Sequence, residues 1–205
     1  FFIDFARRYV RSLYNRFERT LVPSPALGHL LRDWGVGNVA HLDLGVDASV
    51  FHPRSNGGLS VRDEFAIPKT RQLLLYVGRL AQEKNTQTLF AAFRALPRER
   101  FHLIVVGDGT QRGALEQLRT ETTAVTWLPS CAESAELARL YRSADLFVHP
   151  GVQETFGLVA LEAQACGTPV VGIRGSYMDR LIQSDQTYWA SRNSPEALAA
   201  AIQES

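Results

Sequence analysis

Residues 72–107, QLLLYVGRLAQEKNTQTLFAAFRALPRERFHLIVVG, hold two short apolar runs, each closed by a glycine, on either side of a helical pattern. Runs such as LLLYV and FHLIVV are apolar at successive positions, which suits strands buried on both faces of a sheet. The stretch between them, TQTLFAAFRAL, has its apolar residues at helical spacing. A buried strand, a helix and a second buried strand predict parallel pairing through a right-handed crossover.

The same alternation continues outward. Strands are expected at AVTWLP, DLFVHP, PVVGI and TYWA, and helices at QRGALEQLRT, SAELARLYRSA, GLVALEAQACG, SYMDRLI and SPEALAAAIQE. The fold class is therefore α/β, a Rossmann-like doubly wound parallel sheet, with ligands expected at the carboxyl ends of its strands. Upstream, DFARRYVRSLYNRFERT carries an apolar helical stripe with five arginines on its other face. A solvated domain helix and a peripheral membrane contact are the two readings of that face. LVPS and NVAHLDLGVD read as strands around a helix, SPALGHLLRDWGV, with Ser24 as N-cap and Pro25 in its first turn. Pro53, Gly57, Gly58 and Pro68 punctuate the stretch between, around a short helical candidate, SVRDEF. The expected organisation is the tail of one Rossmann-like domain over 1–47, a linker over 48–70 and a second Rossmann-like domain over 71–205. The chain opens inside one amphipathic pattern and ends inside another, so it reads as part of a longer protein.

Composition narrows the partners. A net charge of +1 in 205 residues gives no bulk attraction to nucleic acid. The charge is uneven: residues 1–100 hold 15 Lys/Arg against 9 Asp/Glu, and 101–205 hold 7 against 12. Cys131 and Cys166 have no metal spacing and no neighbouring His, so a reduced cytoplasmic setting is expected and a thiol nucleophile is not. No apolar run is long enough for a membrane span and no signal peptide is visible.

Four loops leave the carboxyl ends of the expected strands with unusual residues: GRLAQEKN, GDGTQRG, LPSCAES and PGVQETFGL. In the last, the amides of Phe156, Gly157 and Leu158 begin a helix, where free N–H groups and the positive dipole end favour an anion. Gly157 lets the backbone approach a phosphate closely. Arg79 and Lys84 would add a bidentate fork and a point charge from the neighbouring loop. Glu162 interrupts the apolar run of that helix, and a carboxylate buried without a partner is costly. A ribose offers vicinal hydroxyls to such a group. Glu154, eight positions earlier, would accept hydrogen bonds from a sugar beyond the diphosphate. Gly107, Gly109 and Gly113 lack the G-x-G-x-x-G spacing, and no acid closes AVTWLP, which argues against a dinucleotide cofactor. His149, at the end of a strand, reads as a packed histidine.

The segments LGVDASVFHP, YVGRLAQEKN, VVGDGTQRGALEQL, YRSADLFVHPG and ETFGLVALEAQACGTPVVG, in that order, resemble the retaining glycosyltransferases of the GT-B fold, the large family that includes bacterial mannosyl- and glucosyltransferases of lipids and polysaccharides. Glu154 and Glu162 look like that family's E-x7-E motif. The resemblance implies that Arg79 and Lys84 bind the donor diphosphate and stabilise the departing nucleoside diphosphate. It places Glu154 on the donor sugar and Thr155, Phe156, Gly157 and Leu158 near the sugar and phosphates. Glu162 would hold the ribose, Leu128 and Pro129 would sit beside the base, and Gly78, Gly107 and Gly109 would line the nucleotide pocket. It implies no metal and no cofactor, a GDP- or UDP-linked sugar as substrate, and a saccharide or lipid acceptor. Two positions depart from the pattern: Leu44 where Asn is common, and Gln164 where Met is. A hexosyltransferase and a non-catalytic nucleotide-sugar-binding domain both fit.

Overall fold

The structure, a computed structural model, describes residues 2–42, 44–54, 60–154, 156–176 and 187–205. The chain divides into two compact units, Phe1–Gly45 and Val46–Ser205.

The first unit contains α1 (Phe2–Tyr14), β1 (Thr20–Val22), α2 (Pro25–Asp33) and β2 (Val39–His41), with β1 and β2 parallel. Ser24 caps α2 by accepting from the Leu27 amide at 3.2 Å, and Pro25 fills the first helical position, where a missing N–H costs nothing. The expected first helix stops early, at Tyr14. The Asn15 amide donates to the Gly35 carbonyl and its oxygen accepts from the Gly37 amide, which turns the chain toward β1. Val22, Leu31 and Val36 form a small core, while Ile3, Phe5 and Tyr9 of α1 are exposed.

The second unit begins with α3 (Val61–Glu64) and then alternates: β3 (Gln72–Val77), α4 (Thr86–Ala95), β4 (Phe101–Val106), α5 (Arg112–Glu121), β5 (Val125–Leu128), α6 (Ser134–Ser143), β6 (Leu146–Val148), α7 (Leu158–Ala165), β7 (Val170–Ile173), β8 (Thr187–Ala190) and α8 (Pro195–Gln203). A 3-10 turn, Gln82–Lys84, interrupts the loop after β3. The helix expected at SYMDRLI lies outside the described residues, Ser176 excepted. The six strands are all parallel, in the order β5-β4-β3-β6-β7-β8. That is the doubly wound arrangement, as the alternation predicts.

Both faces of the sheet are covered, which explains why its central strands run apolar at successive positions. Leu74 and Tyr76 of β3 and Phe101, Leu103 and Val105 of β4 pack with α4, α5 and α8. Leu73, Leu75, Ile104 and Val106 face α3, α6 and α7. Phe51, Val61 and Ile67, from the stretch read as a connection, join this second core.

One polar residue sits inside a central strand. His102 of β4 is buried, its Nε2 lies 2.8 Å from Thr126 Oγ1, and its Nδ1 has no partner. Burial, with the fields of Arg71 and Arg62, pushes its imidazole down to about 4 from 6.5. A depressed histidine contributes stability that is complete above the unfolded value and is lost as pH falls from 6.5 toward 4. The expected loss at pH 5 relative to pH 8 is about 2 kcal/mol from this group. Denaturant melts at the two pH values check it, with His102→Gln expected to flatten that limb.

Candidate active site

The strand order reverses between β3 and β6, so their outgoing loops part toward opposite faces and leave a crevice above the sheet. Both loops present the residues singled out above.

In the β3 loop, the 3-10 turn ends at Asn85, which is left-handed at φ +56°. Asn85 tolerates that conformation because its short side chain finds local partners. Its amide donates to the Pro150 carbonyl at 2.9 Å and to Asn193 Oδ1 at 2.7 Å, and its oxygen accepts from Thr88 Oγ1 at 2.7 Å. The Pro150 bond ties the β3 loop to the β6 loop and aims Lys84 across the crevice. Lys84 Nζ donates to Glu154 Oε1. His149 Nε2 stands 3.7 Å from the same oxygen. Glu154 and His149 are only 8% and 5% exposed at their side chains, against 26% for Lys84. Burial pushes the Glu154 carboxyl up, but His149 and Lys84 together outweigh burial and hold it down at about 2. Glu154 is thus an anion at any physiological pH. In that state it is a hydrogen-bond acceptor.

Arg79 is not part of this cluster. Its guanidinium is 70% exposed and pairs with Glu83 at 2.7 Å, one helical turn along. Its backbone carbonyl accepts from the Tyr76 phenol at 2.9 Å. Burial first, and the nearby Glu154 second, push that phenol up, so it remains a donor.

Glu162 lies in α7. Tyr141 of α6, fully buried, donates its hydroxyl to Glu162 Oε2 at 2.9 Å. Burial raises the Glu162 carboxyl, and the Tyr141 bond pulls the other way. One oxygen is thereby held by Tyr141. Gly157 precedes α7 in a left-handed conformation, φ +74°, and no side chain caps the helix start. Leu158 is 39% exposed there, and Thr155 lies outside the described residues.

The glycines of the β3 and β4 loops serve a close backbone approach. A Cβ on Gly107, at φ +130°, would fall 2.1 Å from the Gly78 carbonyl oxygen, and one on Gly109 would fall 2.5 Å from that of Leu80. Hydrogen bonds from Gly78 N to Val106 O and from Leu80 N to Asp108 O, both 2.9 Å, extend the β3–β4 ladder into the loops. Gly107→Ala is expected to cost 2 kcal/mol or more, roughly, because backbone must move. A chemical-denaturation midpoint checks it. Leu128 flanks a pocket of about 320 Å³ shared with Phe65, Cys131 and three carboxylates, Glu64, Glu133 and Glu136, and Pro129 beside it is exposed.

Sequence reasoning missed two members of this arrangement. His149, expected to pack, is indeed buried, and its ring faces Glu154. Tyr141 was given no role, and it orients Glu162. Neither had a signal of its own, since a histidine ending an apolar strand and a tyrosine on an apolar helix face both read as core.

The family description "Glycosyl transferases group 1" matches residues 60–205. A GDP-mannose-dependent alpha-mannosyltransferase of Corynebacterium glutamicum is 34% identical over 81% of this chain and 38% of its own length. A GDP-mannose-dependent alpha-(1-6)-phosphatidylinositol dimannoside mannosyltransferase of Mycobacterium tuberculosis is 38% identical over 82% of the chain and 44% of its own. The chain therefore spans less than half the length of these curated relatives. Among solved structures, sucrose-phosphate synthase from Thermosynechococcus elongatus superposes with a TM-score of 0.80 at 28% identity, over 97% of this chain and 51% of that one. Anabaena HepE in complex with UDP-glucose gives 0.83 at 23% identity, over 98% of this chain and 57% of its own, a likeness of fold. Matched over residues 60–205, which hold the six-stranded sheet, Lys84, Glu154 and Glu162, the chain has GT-B architecture and belongs to the glycosyl transferases group 1 family.

Proposed function

We propose that this chain carries the donor-binding half of a retaining hexosyltransferase, which moves a hexose from a nucleoside diphosphate to a hydroxyl of a saccharide or lipid acceptor. The observation that carries the proposal is the Lys84–Glu154 pair at the sheet's switch point, with the Glu162–Tyr141 pair on the helix that follows. An anionic Glu154 accepts from sugar hydroxyls. Lys84 meets the charge that builds on the diphosphate as the anomeric carbon–oxygen bond breaks, and preorganised cations are worth most at that point. Arg79, exposed at the crevice edge, would exchange Glu83 for a phosphate at little cost, since an exposed ion pair contributes little. The uncapped start of α7 supplies amides for the same anion. In this reading Arg79 and Lys84 take the place of a metal, Glu162 accepts from the ribose, and the Leu128–Pro129 loop borders the base. Relatives named for GDP-mannose favour that donor. Among the described residues no helix is long and apolar enough to cross a membrane.

A thermal-shift panel of GDP, UDP, ADP and their sugars tests the proposal. One of them at a hundred times its dissociation constant should stabilise the protein by about 2.7 kcal/mol. No shift with any of them overturns it.

A further inference from the structure

Glu154 Oε1 lies between two donors. Lys84 Nζ holds it now, and His149 Nε2 waits 3.7 Å away, just beyond hydrogen-bond reach. His149 is buried, and its Nδ1 has no partner. A hydrogen on Nδ1 would be buried with nothing to accept it, so the ring hydrogen belongs on Nε2, facing Glu154. Gly151 leaves room for this arrangement: a Cβ there would meet His149 Cε1 at 3.0 Å and Glu154 Oε1 at 3.5 Å.

These contacts bear on a difficulty in the proposed function, on which this inference rests. Lys84 cannot serve Glu154 and a diphosphate equally. If it moves to the phosphates, Glu154 is left buried as an unpaired carboxylate, a costly state that would favour either protonation or keeping Lys84 at home. The titratable groups facing Glu154 are Lys84 from the β3 loop, the Tyr76 phenol on β3 and His149 at the end of β6. Tyr76 is engaged with the Arg79 carbonyl. Arg79 and Glu83 pair with each other out in solvent.

We propose that His149 is a positioning residue that takes over Glu154 when Lys84 turns to the donor diphosphate. A shift of the carboxylate by about 1 Å brings Oε1 within hydrogen-bond distance of Nε2. Glu154 then stays ionised and oriented toward the sugar while Lys84 is released to the leaving group. The resting contacts and the donor-bound contacts are two positions of one carboxylate.

The test is calorimetric titration of the wild-type chain, His149→Phe and His149→Gln with GDP, or with UDP if the panel selects it, in two buffers of different ionisation enthalpy. Wild type is expected to bind with little proton uptake. His149→Phe is expected to bind about tenfold or more weakly and to take up a proton on binding, because the deserted carboxylate protonates. His149→Gln, whose amide places a neutral donor where Nε2 stands, should recover most of the affinity and abolish the uptake. The matching nucleoside monophosphate, which lacks the second phosphate, should bind all three proteins alike. A ring needed only for packing would weaken both nucleotides equally and leave proton uptake unchanged, which would overturn the inference. So would His149→Phe binding the diphosphate as wild type does. If neither diphosphate binds wild type, the proposed function itself fails.

Discussion

Lys84→Ala is expected to lower sugar transfer by roughly 10²–10³-fold in kcat, the usual effect of removing one preorganised donor from a site of developing charge, about 3–4 kcal/mol. The assay is turnover of the nucleotide sugar by the intact protein, and an unchanged rate would remove Lys84 from the chemistry. The substitution also has a structural cost that separates it from a simple binding defect. Glu154 is 8% exposed and Lys84 is its hydrogen-bonded cation, so the variant leaves a buried carboxylate with only His149 at 3.7 Å. The depressed Glu154 carboxyl contributes stability that is present above its unfolded value of 4.5 and is lost as pH falls toward 2. Lys84→Ala forfeits part of that contribution. The stability gap between wild type and variant should therefore be widest near neutral pH and narrow at about pH 3, in paired denaturant melts. Removing Glu154 as well should not restore transfer, and any stability it returns at neutral pH measures what the carboxylate's move to His149 fails to replace.

Arg79 and Lys84 show how far a sequence can be read. Both are basic, both lie in the loop after β3, and the sequence offers no ground to rank them. The 3-10 turn and the left-handed Asn85 separate them: Lys84 is turned into the crevice, while Arg79 runs outward to Glu83. That difference depends on the Asn85–Pro150 hydrogen bond, formed between residues 65 apart, and no local pattern encodes it. The sheet was more legible, since burial on both faces writes itself as continuous apolar runs such as LLLYV and VVGI. The pairing of strands could be reasoned from chain order and crossover handedness. The glycines of the GDGTQRG loop show in sequence only that they lack a dinucleotide-binding spacing. Their purpose, the 2.1 Å and 2.5 Å approaches that would result from a Cβ, depends on the β3 loop lying against them. His149 and Tyr141 were illegible for a different reason. Each acts through a carboxylate, and the sequence displays the carboxylates but not what stands behind them.

Glu162 is where stability and function should pull apart. Burial raises its carboxyl above the ordinary 4.5, so the folded state disfavours the ionised form and this group's contribution declines as pH rises through the folded value. Glu162→Gln removes that charge and keeps one acceptor for the Tyr141 hydroxyl, so its melting temperature near neutral pH is expected to rise. The same change weakens a bidentate acceptor for two ribose hydroxyls. Hydrogen bonds to a charged group are worth about 1.5–3 kcal/mol, so nucleoside diphosphate affinity should fall roughly tenfold to a hundredfold. Tyr141→Phe acts on the same carboxylate from behind. It frees Oε2, lets the side chain turn, and should weaken the nucleotide by less, about threefold to tenfold, while lowering stability through the lost buried hydrogen bond. The two variants thus move melting temperature in opposite directions and affinity in the same direction. If Glu162→Gln bound nucleotide as wild type does, the carboxylate would be a tolerated core acid held by Tyr141 and the ribose assignment would fall. If it lost both affinity and stability, Glu162 would be holding the α6–α7 contact rather than a ligand. Only a gain in one and a loss in the other fits a charge kept in a buried position for a sugar to satisfy.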